Sequence, residues 1–296
     1  MAKIYSEFCR SGRIAKLKVG GNKPKKLSPN KVQFIKSLLE EDCTLSLKCI
    51  KENVFKEYAI SVCEATLSKY VEGFNFTLKR LTKVSRSALT ETLINARKTY
   101  SAWFLEVKNE GRNILFFDET GFQITMRKSY GRSEKGKKAV EMTPGIKSRN
   151  KTVMACMWNR GMLHYKALVN SGNRRTCLEY MKELIVILEE QNISNAILIM
   201  DNASFHQCEE ISTFLESHGH VIKFLPPYSP LFNPIEYMFS QWKSIVRSQR
   251  TNNDGELMAA IDCFKDIVTL ENCQNYVRHA TSNMIRCLSG INVFED

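Results

Sequence analysis

Three acidic residues border apolar segments, where a carboxylate needs a partner. Asn113-Ile114-Leu115-Phe116-Phe117 is a short apolar run of the kind that forms a buried strand, and it ends at Asp118. Ala196-Ile197-Leu198-Ile199-Met200 is a second such run, and it ends at Asp201. Burying an acid there is costly without a partner or a metal, although Asp118 taken alone fits a turn opener equally well. Two strands that each end in Asp bring carboxylates to one sheet edge, where they repel unless a cation sits between them. The third acid, Glu236, follows the block Pro226-Pro227-Tyr228-Ser229-Pro230-Leu231-Phe232-Asn233, whose prolines set a rigid loop. Pro234 suits the first position of a new helix with Asn233 as its cap, and Asn-x-x-Glu is also a usable capping box. On that helix Ile235, Phe239, Trp242 and Val246 face the core, while Glu236, Ser240, Lys243 and Arg247 share another face. An acid followed by two cations on one face suits a metal site beside a phosphate backbone. Glu119 points to the opposite side of its strand and reads as structural or solvated. His206 reads as a helix-start residue, with a contact to DNA or to a carboxylate as the alternative.

The surrounding pattern supplies a scaffold for these acids. Lys151 to Asn159 and Met162 to Val169 flank Asn159-Arg160-Gly161, a hairpin signal. An amphipathic helix is predicted from Thr176 to Gln191, with Leu178, Met181, Leu184, Ile185 and Leu188 inward. A further strand is predicted over Val221-Ile222-Lys223-Phe224-Leu225. Ahead of the first strand, Leu89, Leu93, Ala96, Tyr100, Trp103 and Phe104 form one stripe of a connector helix, roughly Ser87 to Asn109. At the far end, Leu257, Ile261, Phe264 and Ile267 keep helical spacing and carry no nameable chemistry.

The positive charge is concentrated away from the acids. The chain of 296 residues carries a formal charge of +12, yet residues 1–100 hold 20 Lys+Arg against 9 Asp+Glu and the rest is nearly balanced. Arg13, Lys16, Lys18, Lys23, Lys25 and Lys26 fall in one stretch without an acid, broken by Gly20-Gly21 and Pro24, which reads as an extended arm. A polyanion is its natural partner, because neutralising phosphates releases counterions; a solvated tail is the plain alternative. Lys23-Pro24-Lys25-Lys26 serves phosphate binding or, in a eukaryote, a nuclear signal. No run reaches the ~18 apolar residues of a membrane span, and the first residues lack the apolar core of a secretion signal. The ten cysteines include no C-x-x-C pair, so they read as reduced core thiols rather than a zinc site.

After the arm, three short helices are predicted. Ser28-Pro29 starts the first, with Val32, Ile35, Leu38 and Leu39 at helical spacing. Leu47 to Tyr58 is the second, with Ile50, Val54 and Phe55 inward. The third begins at Ser61-Val62-Cys63-Glu64, an S-x-x-E capping box, and stops at Gly73. Three helices with a brief turn before the third suit a helix-turn-helix, as well as a generic three-helix domain. The third would read DNA through Ser61, Thr66, Ser68 and Lys69. Phe74 to Arg80 alternates and ends basic, which predicts a wing strand placing Lys79 and Arg80 on phosphates.

Asp118, Met200-Asp201-Asn202-Ala203, Leu225-Pro226-Pro227-Tyr228-Ser229-Pro230 and Asn233-Pro234-Ile235-Glu236 resemble the catalytic motifs of the mariner superfamily of cut-and-paste DNA transposases. The 34 residues between Asp201 and Glu236 match a spacing used there. Gly20 to Leu27 resembles the basic linker between that family's two helix-turn-helix units. Thr120-Gly121-Phe122 and Tyr130-Gly131 resemble the segment after its first catalytic Asp. The resemblance implies an α/β chain: an RNase H-like mixed-sheet catalytic domain preceded by an all-α, winged helix-turn-helix domain. It implies Asp118, Asp201 and Glu236 as a catalytic triad binding two divalent ions, normally Mg²⁺ with Mn²⁺ tolerated. It also implies cleavage and strand transfer on double-stranded DNA at transposon ends, by a homodimer or larger assembly; the nucleus is the expected place if the source is eukaryotic, from the Lys23-Pro24-Lys25-Lys26 stretch. Hard carboxylate oxygens suit Mg²⁺, and two ions ~3.5–4 Å apart can activate a nucleophile and stabilise the leaving 3′ oxygen. The expected layout is residues 1–27 as basic arm with the remnant of a first helix-turn-helix, 28–84 helix-turn-helix, 85–111 connector, 112–250 catalytic domain and 251–296 C-terminal helical segment. Family members carry a complete first helix-turn-helix before the linker, whereas Met1 to about Ser11 leaves room for one helix. That departure keeps an alternative open: a transposon-derived DNA-binding protein without catalysis.

Overall fold

The computed structural model describes residues 2–12, 27–79, 81, 84–143, 145, 150–168, 172–203 and 206–291. The chain divides into two units, Met1–Thr82 and Lys83–Asp296.

The first unit is helical. It opens with α1 (Ala2–Ser11). Then α2 (Pro29–Glu41), α3 (Leu47–Tyr58) and α4 (Glu64–Gly73) enclose a small core of Leu27, Ile35, Leu39, Ile50, Val54, Val62 and Leu67. Three expectations fail here. Phe55 is 56% exposed, because Ile50 and Val54 already fill the inner face of α3. The S-x-x-E box does not form: Val62 is buried, and α4 starts at Glu64 with Cys63 as its cap. Among the described residues no strand lies between α4 and Lys79, so Lys79 has no wing to stand on. Phe74 instead caps the helix through bonds to the carbonyls of Tyr70 and Val71, and Asn75 adopts φ 62°, the left-handed turn that ends helices.

The second unit is a five-stranded mixed sheet between two helical layers. Its elements are α5 (Glu91–Asn109), β1 (Ile114–Phe122), β2 (Lys151–Trp158), β3 (Gly161–Leu168), α6 (Arg174–Glu190), β4 (Ile197–Met200), α7 (Glu209–Ser217), β5 (Val221–Phe224), α8 (Pro234–Gln249), α9 (Asp254–Asp262), α10 (Phe264–Ile267) and α11 (Leu270–Leu288). The sheet order is β3-β2-β1-β4-β5. The first three strands form an antiparallel meander, and β4 and β5 add parallel to β1.

Alternation along β1 sorts the two cores. Phe116 and Phe122 join α5, α8, α9 and α11 on one face; Leu115 and Phe117 join α6 and α7 on the other. The C-terminal helices are therefore part of the second unit's core: Leu257, Ile261, Phe264, Val277 and Met284 all lie in the first cluster, while Ile267 is exposed. The buried line of α5 runs through Arg97, Tyr100, Ser101, Phe104 and Val107, shifted from the expected stripe, and Leu89 is exposed. Cys156, Cys177, Cys208, Cys273 and Cys287 are buried thiols, but Cys9, Cys43, Cys63 and Cys263 are exposed, so the core-thiol reading holds for half of the ten. Among the described residues no helix is long and apolar enough to cross a membrane.

Candidate active site

Strand register brings the first two acids together. Phe116 pairs with Ile199 across the parallel β1–β4 ladder, so Asp118 and Asp201 lie two steps further along neighbouring strands. Asp201 stands one residue past β4, as expected. Asp118 does not end its strand: β1 runs on to Phe122, and Asp118 pairs with Ala155 of β2. The strand continues because Thr120 and Phe122 are buried on the same face as Asp118. The third acid arrives from the loop after β5. Leu225 donates its N–H to the Met200 carbonyl, Tyr228 turns the chain at φ 54°, and Pro234 starts α8. Asp118, Glu119, Asp201, Asn233 and Glu236 then line one open cleft of ≈ 660 Å³, walled by Leu225 to Pro230.

The expected Asn-x-x-Glu box is absent, since the Asn233 side chain makes no cap bond. It reaches across the cleft, and its Nδ2 donates to Asp118 Oδ2 at 3.1 Å. Asp118 Oδ1 accepts from the Glu119 N–H at 2.8 Å. Burial, with the Glu236 and Asp201 charges, still pushes the Asp118 carboxyl up to about 7. Asp201 goes the other way: hydrogen bonds from His206 and from the Ala203 N–H hold its carboxyl below the ordinary range. Burial opposes charge on His206, but its bonds to Asp201 and Glu119 outweigh that and lift the imidazole to about 9. Burial also raises Glu236, against the opposing pull of Lys243.

Residues 113–258 match the family model of the DDE superfamily endonuclease. This segment is a DDE endonuclease domain. Solved structures agree on the fold. The chain superposes on the Mos1 transposase paired-end complex with left transposon end at TM-score 0.75 and 17% identity, covering 97% of this chain and 86% of that one. For the Mos1 strand transfer complex the values are 0.73, 16%, 97% and 85%. For the catalytic domain of Mos1 mariner transposase they are 0.56, 15%, 71% and 97%. No curated protein matches the chain in sequence.

The acids of the DDE domain fit a hard cation by donor type and by the mutual repulsion that adds to burial in raising Asp118. Among the described residues no group of three or more His, Cys, Asp or Glu side chains is already gathered tightly enough to hold an ion. Lys243 and Arg247 share the Glu236 face of α8, opposite the buried Ile235, Phe239, Trp242 and Val246. Burial lowers Lys243, while Glu236 and Asp118 favour its charge, so the ammonium lies within electrostatic reach of both acids.

The other residues expected to touch DNA are scattered. Ser61 and Lys69 are exposed, with Ser61 ahead of α4 rather than in it. Thr66 is half-buried and bonded to Cys63, and Ser68 donates to Glu72. Arg13, Lys16, Lys18, Lys23, Lys25, Lys26 and Arg80 lie outside the described residues. Two further residues of the DDE domain stand at the cleft, His206 by the carboxylate contact that is the alternative to a helix start. His206 is buried and bridges Asp201 and Glu119, rather than starting α7, which begins at Glu209. Glu119 lines the cleft wall. On the far side, Asn283 of α11 donates to the Leu231 carbonyl and to Tyr237 Oη, tying the proline-rich loop to the C-terminal helix.

Proposed function

We propose that the chain is a metal-dependent DNA transposase, cutting and rejoining strands at the ends of a transposable element. The observation that supports it most is the meeting of Asp118, Asp201 and Glu236, from three separate segments, in one open cleft. Divalent ions bound there, Mg²⁺ or Mn²⁺ and two by analogy of chemistry, would supply charge stabilisation to the attacking and leaving oxygens of a phosphodiester. The three carboxylates would hold them. Asn233 keeps Asp118 turned toward the cleft. Lys243 and Arg247 offer cations to the phosphates flanking the scissile bond. Water as nucleophile gives cleavage, and a freed 3′-hydroxyl gives strand transfer, so no protein nucleophile is required.

The helical unit and the basic stretch ahead of it would hold double-stranded DNA, and two copies of the chain would pair two ends. Solved structures of Mos1 include a paired-end complex with the left transposon end, a strand transfer complex, and paired-end complexes with Mn and with Mg, which favours the same partners here. The test is cleavage of DNA bearing candidate inverted repeats with Mg²⁺ or Mn²⁺. Wild type should nick at the repeat ends, and the Asp118→Asn, Asp201→Asn double variant should not. Equal background nicking by both proteins defeats the proposal.

A further inference from the structure

Asp118 and Glu119 are consecutive on β1 and serve opposite faces of the sheet. Asp118 looks toward α8 with Phe116; Glu119 looks toward α6 and α7 with Phe117. On that second side lies His206, 1% exposed, with its ring edge-on to Phe117 at 5.4 Å. His206 Nε2 is 3.2 Å from Glu119 Oε1, and Nδ1 is 2.6 Å from Asp201 Oδ1. The Asp201 side chain is itself 47% exposed to the cleft. A buried ring thus ties an open acid to a second, mostly covered acid.

The backbone reinforces the tie. The Ala203 N–H also donates to Asp201 Oδ1 at 3.0 Å, and the His206 N–H closes the turn on the Ala203 carbonyl at 2.9 Å. The ring nitrogen and the backbone N–H both bond the same oxygen of Asp201, and among the described residues none takes Oδ2, which is left for the cleft. Two hydrogen bonds on one oxygen hold the carboxylate in a single presentation. Ligands oriented this way by outer hydrogen bonds bind metals more tightly, and losing the outer partner typically weakens affinity by about 10- to 100-fold.

We propose that His206, braced by Glu119, is the positioning residue that presents the Asp201 carboxylate to a divalent cation. This rests on the metal-dependent reading of the cleft. It assigns the two acids of the Asp118-Glu119 pair different tasks. Asp118 is offered to the ion, and Glu119 secures the ring that aims the acid of the neighbouring strand. The bridge needs N–H donors on both ring nitrogens, so Gln at position 119 can still accept the Nε2 bond whereas Ala cannot.

The experiment measures Mn²⁺ binding to the full chain by electron paramagnetic resonance without DNA, then nicking rate against Mg²⁺ concentration. His206→Ala should weaken Mn²⁺ binding by about 10- to 100-fold and shift the Mg²⁺ curve equally, with most of the rate recovered at saturation. Glu119→Ala should shift both in the same direction by a smaller factor, and Glu119→Gln should stay close to wild type. A folded His206→Ala protein with wild-type Mn²⁺ affinity overturns the proposal. Glu119→Gln losing as much affinity as Asp201→Asn also overturns it, since Glu119 would then be a ligand. If His206→Ala does not fold, Glu119→Ala decides alone, its side chain being 17% exposed at the cleft wall. Wild-type protein that binds no Mn²⁺, or binds it equally as Asp201→Asn, sinks the metal-dependent reading and the brace together. Intact wild-type binding with an unaffected His206→Ala sinks the brace alone.

Discussion

On the β1 side of the cleft, Asp118 is packed among apolar neighbours and faces the charges of Glu236 and Asp201, with one amide and one N–H for company. On the β4 side, Asp201 opens to solvent and accepts from an imidazole and a backbone N–H. The two residues are the same type, two register steps beyond one parallel pair. Their carboxyls are nonetheless driven apart, Asp118 up to about 7 and Asp201 below the ordinary range. Identity therefore says little about what each contributes. Asp118 is disfavoured as an anion first by burial and then by two neighbouring acids, a repulsion that a cation would relieve; Asp201 is settled in place before one arrives.

The largest effect should come from removing either charge. Asp118→Asn and Asp201→Asn should each lower metal-dependent cleavage by roughly 10³-fold or more, since each removes an oxygen that binds the same ions. The double variant should be no slower than the worse single, because groups that act as a unit are not additive. A double variant that multiplies the two losses would show that the sides of the cleft work independently.

Stability without metal should separate the two sides by sign. The folded pKa of Asp118 lies near 7 against an ordinary 3.8, so the folded chain keeps a proton there that the unfolded chain loses. Stability should then fall as pH rises between about 4 and 7 and level off above. Asp118→Asn should abolish that slope and, near pH 8, raise unfolding stability by about 1–3 kcal/mol. Asp201 has a lowered folded pKa, so its contribution is present above its ordinary pKa and lost as pH falls. Asp201→Asn should cost about 0.5–1 kcal/mol, solvent screening having thinned the interaction. Denaturant unfolding in a chelator at about pH 5 and about pH 8 reads both. Two variants moving in the same direction would break the contrast.

Sequence pattern reached the acids themselves, because an apolar run halted by Asp is a local signal. It did not reach their surroundings, which depend on contacts distant in the chain. The run 114–117 reads as a strand ending at Asp118, yet Phe122 is buried and pairs with Lys151 of β2, so the strand continues. Asn233 and Glu236 satisfy a local capping rule, but the amide is taken by a residue 115 positions away. For His206 the sequence offers a helix start or a carboxylate contact, and only the fold chooses the second, by setting Glu119 beside it from 87 positions earlier. In the helical unit the same limit appears as the missing wing: alternation through Phe76 and Leu78 predicts a strand, but among the described residues none lies there to pair with another, and Leu78 is fully exposed. The helices α2 and α3 were legible because their signals, Ser28-Pro29 and the Ile50–Val54 spacing, are local.

The smallest expected effect isolates what the β1 side owes to a single amide. Asn233 is buried, gives one hydrogen bond to Asp118 Oδ2, and leaves its own Oδ1 without a partner among the described residues. Asn233→Ala removes a favourable bond to a carboxylate and an unfavourable unpaired oxygen together. The two changes oppose each other, so unfolding stability should move by less than about 1 kcal/mol. Orientation is not offset in the same way. Asp118 would keep only the Glu119 N–H on Oδ1, its other oxygen would be free to rotate from the cleft, and cleavage should slow by about 10-fold. On the β4 side the ring and the Ala203 N–H share the task, so no single-amide loss has a counterpart there. A variant that loses stability but keeps its rate would mean that β1 alone aims Asp118, and that Asn233 serves the loop before α8 instead.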